Sequence, residues 1–253
     1  GRQYGRVLKC FTHFFVQNDI SKELLNKIGI TNVTVTGDTR FDRVLRIKDD
    51  ARQLPVMETF IHGDEGDRPK IFIAGSSWLP DEEIFIKYFR ERKLKNWKLV
   101  IAPHVIGEDH LRQIEKLLKG CRVVRYAAAE KEYTVSDAEV LIVDCFGKLS
   151  SIYRYADVTY VGGGFGVGIH NVLEAAVWDM PVLFGPNNKR FQEAQGLLQA
   201  DGGFEIADAA SFASKMSQLM TDEAYLQQSA TAAGEFVKSR SGATDRILAE
   251  VPL

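Results

Sequence analysis

The run GGGFGVGIHNVLEAAVWDMPVLFGPNNKRFQEA, from Gly162 to Ala194, has the residue types and spacing of an anion site. Glycines after a strand let the backbone come close to a ligand. A helix starting near His170 would aim its unpaired N–H groups and positive dipole end at whatever occupies that turn, Gly168 included. The ligand such a turn suits carries phosphate. Asn171 and Glu174 would lie one helical turn apart and offer polar contacts on one side. Glu174 could accept from sugar hydroxyls or simply stabilise a helix start, and a glycine turn that only packs strand on helix would look the same.

Other strand ends repeat the chemistry. Ser76 and Ser77 offer hydroxyls and N–H groups to a phosphate or carboxylate, or cap a helix. Trp78 beside them reads more as core than as a wall of the site. Pro103 and His104 end another strand, and His104 could donate to an anion or stack on a base. His110 falls in the following helix and reads as surface. Phe146, Gly147 and Lys148 open a helix that Asp144 would cap, with Lys148 as either a phosphate partner or a solvated first-turn residue. Gly185, Pro186, Asn187 and Asn188 form a further polar turn on the same rim, followed by Lys189 and Arg190, which singly read as solvent-exposed.

These turns need a scaffold that brings strand ends together. From Lys70 short apolar runs alternate with helical stretches. Strands are expected at Ile71–Ala74, Leu99–Ala102, Arg122–Tyr126, Val140–Val143, Val158–Val161, Val182–Phe184 and Phe204–Ile206. That alternation predicts an α/β fold, a Rossmann-like parallel sheet with helices on both faces, whose ligands bind beyond the carboxyl ends of the strands. Residues 1–43, with strands at Thr12–Gln17 and Asn32–Thr36 and a helix capped by Ser21, are too few to close a core. Arg43 to Lys70 reads as a connector. Asp64, Glu65 and Asp67 read as a solvated loop.

Composition excludes several classes. The chain has 253 residues, 45% hydrophobic and 26% charged, with a net charge of −2, which argues against a general nucleic-acid binder. No apolar run reaches the roughly 20 residues that span a bilayer. The opening Gly1-Arg2-Gln3-Tyr4 resembles neither a start nor a targeting segment, which suggests a fragment. Cys10, Cys121 and Cys145 show no metal spacing, no Asp-x-Asp pair follows a strand, and neither a Walker loop nor a nucleophile elbow is present, so no metal or other cofactor is expected. A nicotinamide enzyme is disfavoured because the glycine turn follows a late strand and no acidic residue ends a next strand about 20 residues on.

Taken in order, GSSW with DEE, the strand-end PH, DCFGKL, ADVTYVGGGFGVGIHNVLEAA and PVLFGPNNKRFQEA resemble the carboxyl-terminal half of the 3-deoxy-D-manno-octulosonic acid (Kdo) transferases. The resemblance runs from about Phe11 to Gln199, and QND…VTVTGDTRFD looks like the end of that family's amino-terminal half. It implies half of a two-domain glycosyltransferase-B fold that binds CMP-Kdo, with residues 1–43 as the end of the amino-terminal domain and hinge and residues 44–253 as the nucleotide-sugar-binding domain. It also implies an inverting transfer to lipid A precursor, with the catalytic base, the acceptor groove and the membrane contact in the other half, at the cytoplasmic face of the bacterial inner membrane. On that pattern Ser76, Ser77, Phe146, Gly147, Lys148, Gly168, His170, Asn171 and Asn188 line the donor phosphate and sugar. Glu174 holds ribose, and Pro103 and His104 border cytosine. Many members carry arginine where Pro103 stands and an acid where Lys148 stands, and the usual GGHN reads GIHN with Ile169. Lys148 could replace the charge missing at Pro103. Alone, such a half should bind CMP weakly and transfer nothing. The alternatives are a UDP-sugar glycosyltransferase or epimerase domain and a non-catalytic nucleotide-binding domain.

Overall fold

The computed structural model describes residues 2–62, 68–92, 96–132 and 135–251. The acidic run at Asp64, Glu65 and Asp67 lies outside them. The chain divides into two compact units, Gly1–Arg46 with Val237–Leu253, and Ile47–Phe236.

The first unit holds α1 (Arg2–Leu8), β1 (Phe14–Val16), α2 (Asp19–Asn26), β2 (Val33–Val35) and the start of α3 (Thr39–Asp49). β1 and β2 pair in parallel. The cap of α2 is Asn18, not Ser21: the Asn18 side chain accepts from the Ser21 N–H at 2.9 Å. Residues 237–253 had been placed with the second domain, and the structure groups them with the first unit. Asp42 accepts from the N–H of Gly242, the N–H of Thr244 and the Thr244 hydroxyl. Arg246 Nε donates to the Thr36 carbonyl at 2.7 Å. These bonds fasten the start of the last helix, here α13 (Ala243–Glu250), to the VTGDTRFD segment.

The second unit continues with α4 (Pro55–Ile61), β3 (Lys70–Ser77), α5 (Leu79–Arg92), β4 (Trp97–Pro103), α6 (Glu108–Leu117), β5 (Val123–Arg125), α7 (Tyr126–Glu132) and β6 (Val140–Ile142). Next come α8 (Leu149–Ile152), β7 (Val158–Val161), α9 (Leu173–Ala176), β8 (Val182–Phe184), α10 (Gln192–Gln199), β9 (Gly203–Glu205), α11 (Ala209–Thr221) and α12 (Glu223–Ser239). All seven strands anticipated from Lys70 onward form, and they make one parallel sheet in the order β5-β6-β4-β3-β7-β8-β9. Ile71, Phe72, Ile73 and Ala74 are all fully buried, which explains the unbroken apolar run: both faces of the strand are covered. On one face Phe72 packs on Phe85, Phe89 and Phe212. Successive strands step away from β3 through β4, and the chain then returns to its other side with β7. The order therefore reverses between β3 and β7, and the crevice outside their carboxyl ends is where such sheets bind ligands.

Candidate functional site

The two turns at this reversal are GSSW after β3 and the glycine turn after β7. β3 slips register between Gly75 and Ser77, and Ser76 sits in the left-handed region at φ 51°. A non-glycine residue there is strained, and such strain collects at ligand sites. The glycine turn lies against this bulge: a Cβ on Gly162 would come within 2.4 Å of the Ser76 carbonyl oxygen. Gly164 in turn faces Gly185 backbone to backbone, with a Cβ only 2.5 Å from the Gly185 Cα. Glycine is required at both positions by close approach.

A buried carboxylate joins the two turns. Asp81, 1% exposed, accepts through Oδ2 from the N–H groups of Trp78 (2.9 Å) and Gly163 (3.0 Å), and through Oδ1 from the Tyr160 hydroxyl (2.7 Å). Burial and Asp81 together push the Tyr160 phenol up, so it stays a donor. Beside it Glu82 is also buried and accepts the Ser77 hydroxyl at 2.8 Å. Ser77 is therefore a buried structural donor in this state, while Ser76 stands at the rim. His110, expected on the surface, is half-buried with Nε2 3.1 Å from Glu82.

Trp78, expected in the core, is 40% exposed at the rim. Its indole N–H donates to His170 Nε2 at 3.2 Å, and the exposed His104 ring stacks on both, at 4.8 Å from Trp78 and 4.3 Å from His170. Burial and the neighbouring His104 hold His170 below the ordinary histidine value, which leaves Nε2 free to accept. The backbone joins the same group, since the His104 N–H donates to the Ser77 carbonyl. Ser76, Ser77, Pro103, His104 and His170 thus come together, with Pro103 buried at the end of β4.

Elsewhere the geometry narrows the anticipated roles. The helix expected near His170 is the single turn α9, starting at Leu173, and the His170 N–H is taken by the Gly162 carbonyl. The Asn171 side chain accepts from the Leu173 N–H and donates to Glu174 Oε1, while Ser150 donates to Glu174 Oε2. Glu174 thus holds α9 to α8. The Gly168 N–H donates to Gly163, and its own φ is 147°. Asn188 is fully buried. It donates to the Gly185 carbonyl and to Glu205 and accepts from Gln195, so it builds the turn and does not line its surface. Asn187 and the exposed Arg190 donate to the carbonyls of Gly166 and Val167 and hold the glycine turn in shape. Lys189 is exposed.

The third turn is open. Phe146 is 79% exposed, Gly147 has φ 78°, and Lys148 pairs with Glu130 at 2.6 Å. Asp144 does not cap α8. It accepts from the Ala127 N–H at the start of α7. A separate cleft of about 790 Å³ opens at the opposite, amino ends of the strands, among Trp97, Arg122 and Val140, away from these turns. Among the described residues no cluster of three or more His, Cys, Asp or Glu could hold a metal. Sequence reasoning missed Asp81 and Glu82 as the joints of the site. Their one visible signal was an acidic pair directly after a serine turn at a helix start.

No family model matches the chain. A Kdo transferase of Rickettsia bellii is 28% identical over 221 residues, 85% of this chain and 50% of that protein. The chain is related in sequence to the Kdo transferases. A bifunctional glycosyltransferase/methyltransferase of Fusobacterium nucleatum is 28% identical over 212 residues, 81% of this chain and 32% of that protein. The crystal structure of the carboxyl-terminal CMP-Kdo binding domain of WaaA from Acinetobacter baumannii superposes with a TM-score of 0.61 at 15% identity, covering 78% of this chain and 99% of that domain. What the two share is the fold, a parallel sheet with helices around it, as in glycosyltransferase-B domains. The chain spans between 32% and 50% of the length of the curated relatives named here.

Proposed function

We propose that this chain is the donor-binding half of an inverting Kdo transferase and holds CMP-Kdo across the crevice between β3 and β7. The observation that carries the reading is the joining of the Ser76 bulge to the glycine turn by Asp81, at the one place where the strand order reverses. Ser76 and the N–H groups of Phe146 and Gly147 supply the donors for the phosphate. The rings of His104 and Trp78 border the base, and Pro103 closes the strand beneath it. Lys148 contributes charge once it leaves Glu130.

As the Kdo–phosphate bond breaks, negative charge grows on the departing CMP phosphate. Fixed N–H groups aimed at it then stabilise the transition state more than the ground state. The acceptor, lipid A precursor, and the carboxylate that takes its hydroxyl proton belong to the other half, which would also make the contact with the inner membrane. Among the described residues no helix is long and apolar enough to cross a membrane. The proposed chemistry uses no metal, so a chelator should leave CMP binding unchanged.

Titrating the chain with CMP, UMP and UDP tests the reading. CMP binding in the millimolar range (about −4 kcal/mol), with weaker UMP and UDP, is expected. Preference for UDP would move the assignment to a UDP-sugar enzyme, which shares the phosphate turns and differs in base recognition. Transfer of Kdo by this polypeptide alone would overturn the division of labour between the halves.

A further inference from the structure

Beneath the Ser76 bulge lies a polar group that the binding of phosphate does not itself require. The Glu82 side chain is 0% exposed and the His110 side chain 15%. Two groups converge on Glu82 Oε1, the Ser77 hydroxyl at 2.8 Å and His110 Nε2 at 3.1 Å, whereas Oε2 is buried with no partner among the described residues. A buried carboxylate with one oxygen empty is a costly place for an unbalanced charge. The groups whose charge acts on it are His110 from α6 and Asp81 from its own helix, and Asp81 is held by three donors of its own.

We propose that Glu82 is a positioning residue for the turn after β3, transmitting the charge state of the pair it forms with His110 to Ser76 and Ser77 and so setting how strongly the turn holds an anionic ligand. The inference rests on the donor reading for the ligand's identity but not for the coupling itself. While the Glu82–His110 pair holds its proton it is neutral as a unit, and it adds no repulsion to a phosphate above it. When the pair gives that proton up, a buried negative charge remains beside Ser77, in a setting that screens it poorly. The effect reaches His104 too, because the Ser77 carbonyl accepts the His104 N–H. Burial pushes the Glu82 carboxyl up, against the opposing pull of Ser77 and His110, which is consistent with a proton shared across the pair. The sign follows: anion affinity is greater on the acid side of the proton's release and falls as pH rises through it.

Two readouts test this on the full chain. Without nucleotide, the amide resonances of Ser76, Ser77 and Trp78 should titrate in step with the Glu82 side-chain carboxyl, and that titration should vanish in Glu82→Gln and move in His110→Gln. With CMP as the probe, wild-type affinity should fall by an extra factor of about three to five across the same step, roughly the weight of one hydrogen bond. Glu82→Gln should lack that extra fall and His110→Gln should displace it along the pH axis, with both variants keeping the native amide spectrum. The phosphate of CMP titrates equally for all three proteins, so the difference between them is what is read. Amides of Ser76–Trp78 that ignore the Glu82 carboxyl, or variants that keep the wild-type pH profile, would overturn the coupling even if CMP binds well. A wild type that shows the coupled titration but binds no CMP would uphold the coupling and sink the donor reading.

Discussion

On one side of the rim, the turns after β3, β7 and β8 rest on buried side chains whose bonds are all made within the protein. Asp81 ties GSSW to the glycine turn, and Asn188 ties PNNKRF to Gly185 and Glu205. On the other side, the loops after β4 and β6 present exposed groups: His104, Val105 at 43%, Phe146 at 79% and a Lys148–Glu130 pair near the surface. The first side is preorganised, which suits Ser76 to a developing charge, since donors that must first be assembled lose part of their effect; the proposed N–H donors of Phe146 and Gly147 stand on the open side. The second side can vary in sequence without disturbing the sheet.

The contrast is broken most severely by Asp81→Ala. It leaves two N–H groups and the Tyr160 hydroxyl buried without their acceptor, and should cost about 3–5 kcal/mol in a denaturant melt. Gly164→Ala comes next, at about 1–3 kcal/mol, because its Cβ meets the Gly185 backbone, which cannot swing aside as a side chain would. On the open side, Lys148→Ala should change stability by no more than about 1 kcal/mol. It should still weaken CMP binding measurably, and unchanged CMP affinity would remove Lys148 from the phosphate site. Phe146→Ala should lie within about 0.5 kcal/mol of wild type in stability.

Carboxylates sharpen the same comparison through pH. Glu82 in the second unit is raised by burial, so its contribution to stability is present below the unfolded value and is lost as pH rises through the folded one. Glu82→Gln should therefore gain on wild type as pH rises from the carboxylate range toward neutrality. Asp42 in the first unit is lowered, because the amides of Thr244 and Gly242 and the Thr244 hydroxyl outweigh its burial. Its contribution is present above the unfolded value and lost as pH falls, so Asp42→Asn should differ from wild type most near neutrality and least in acid. Stability curves of the two variants with the same slope would contradict this assignment.

How far the sequence discloses this arrangement follows from the range of the forces involved. The seven strands from Lys70 onward are legible because a parallel strand covered on both faces must be apolar throughout, as Ile71–Ala74 is. The strand order is not legible: nothing local says that β6 lies between β4 and β5. The residues of the GSSW and glycine turns are recognisable by type, but Tyr160 and Gly163 lie 79 and 82 positions from the Asp81 carboxylate that organises them. For the same reason Trp78 and His110 exchange their expected places. An indole with a histidine to donate to can stand at the rim, and an imidazole beside a buried carboxylate can leave the surface. α9 is short because the Asn171 side chain sits just ahead of it, accepting the Leu173 N–H, which a pattern of apolar residues does not reveal.

The central claim is that several turns on one rim grip a cytidylate together. Amide chemical-shift mapping of the isotope-labelled chain during a CMP titration tests it most directly. The account predicts concerted shifts at Ser76–Trp78, His104, Phe146–Lys148 and Gly162–Asn171, all fitting one dissociation constant. Shifts confined to the cleft around Trp97, Arg122 and Val140, or no shifts at millimolar CMP, would contradict it.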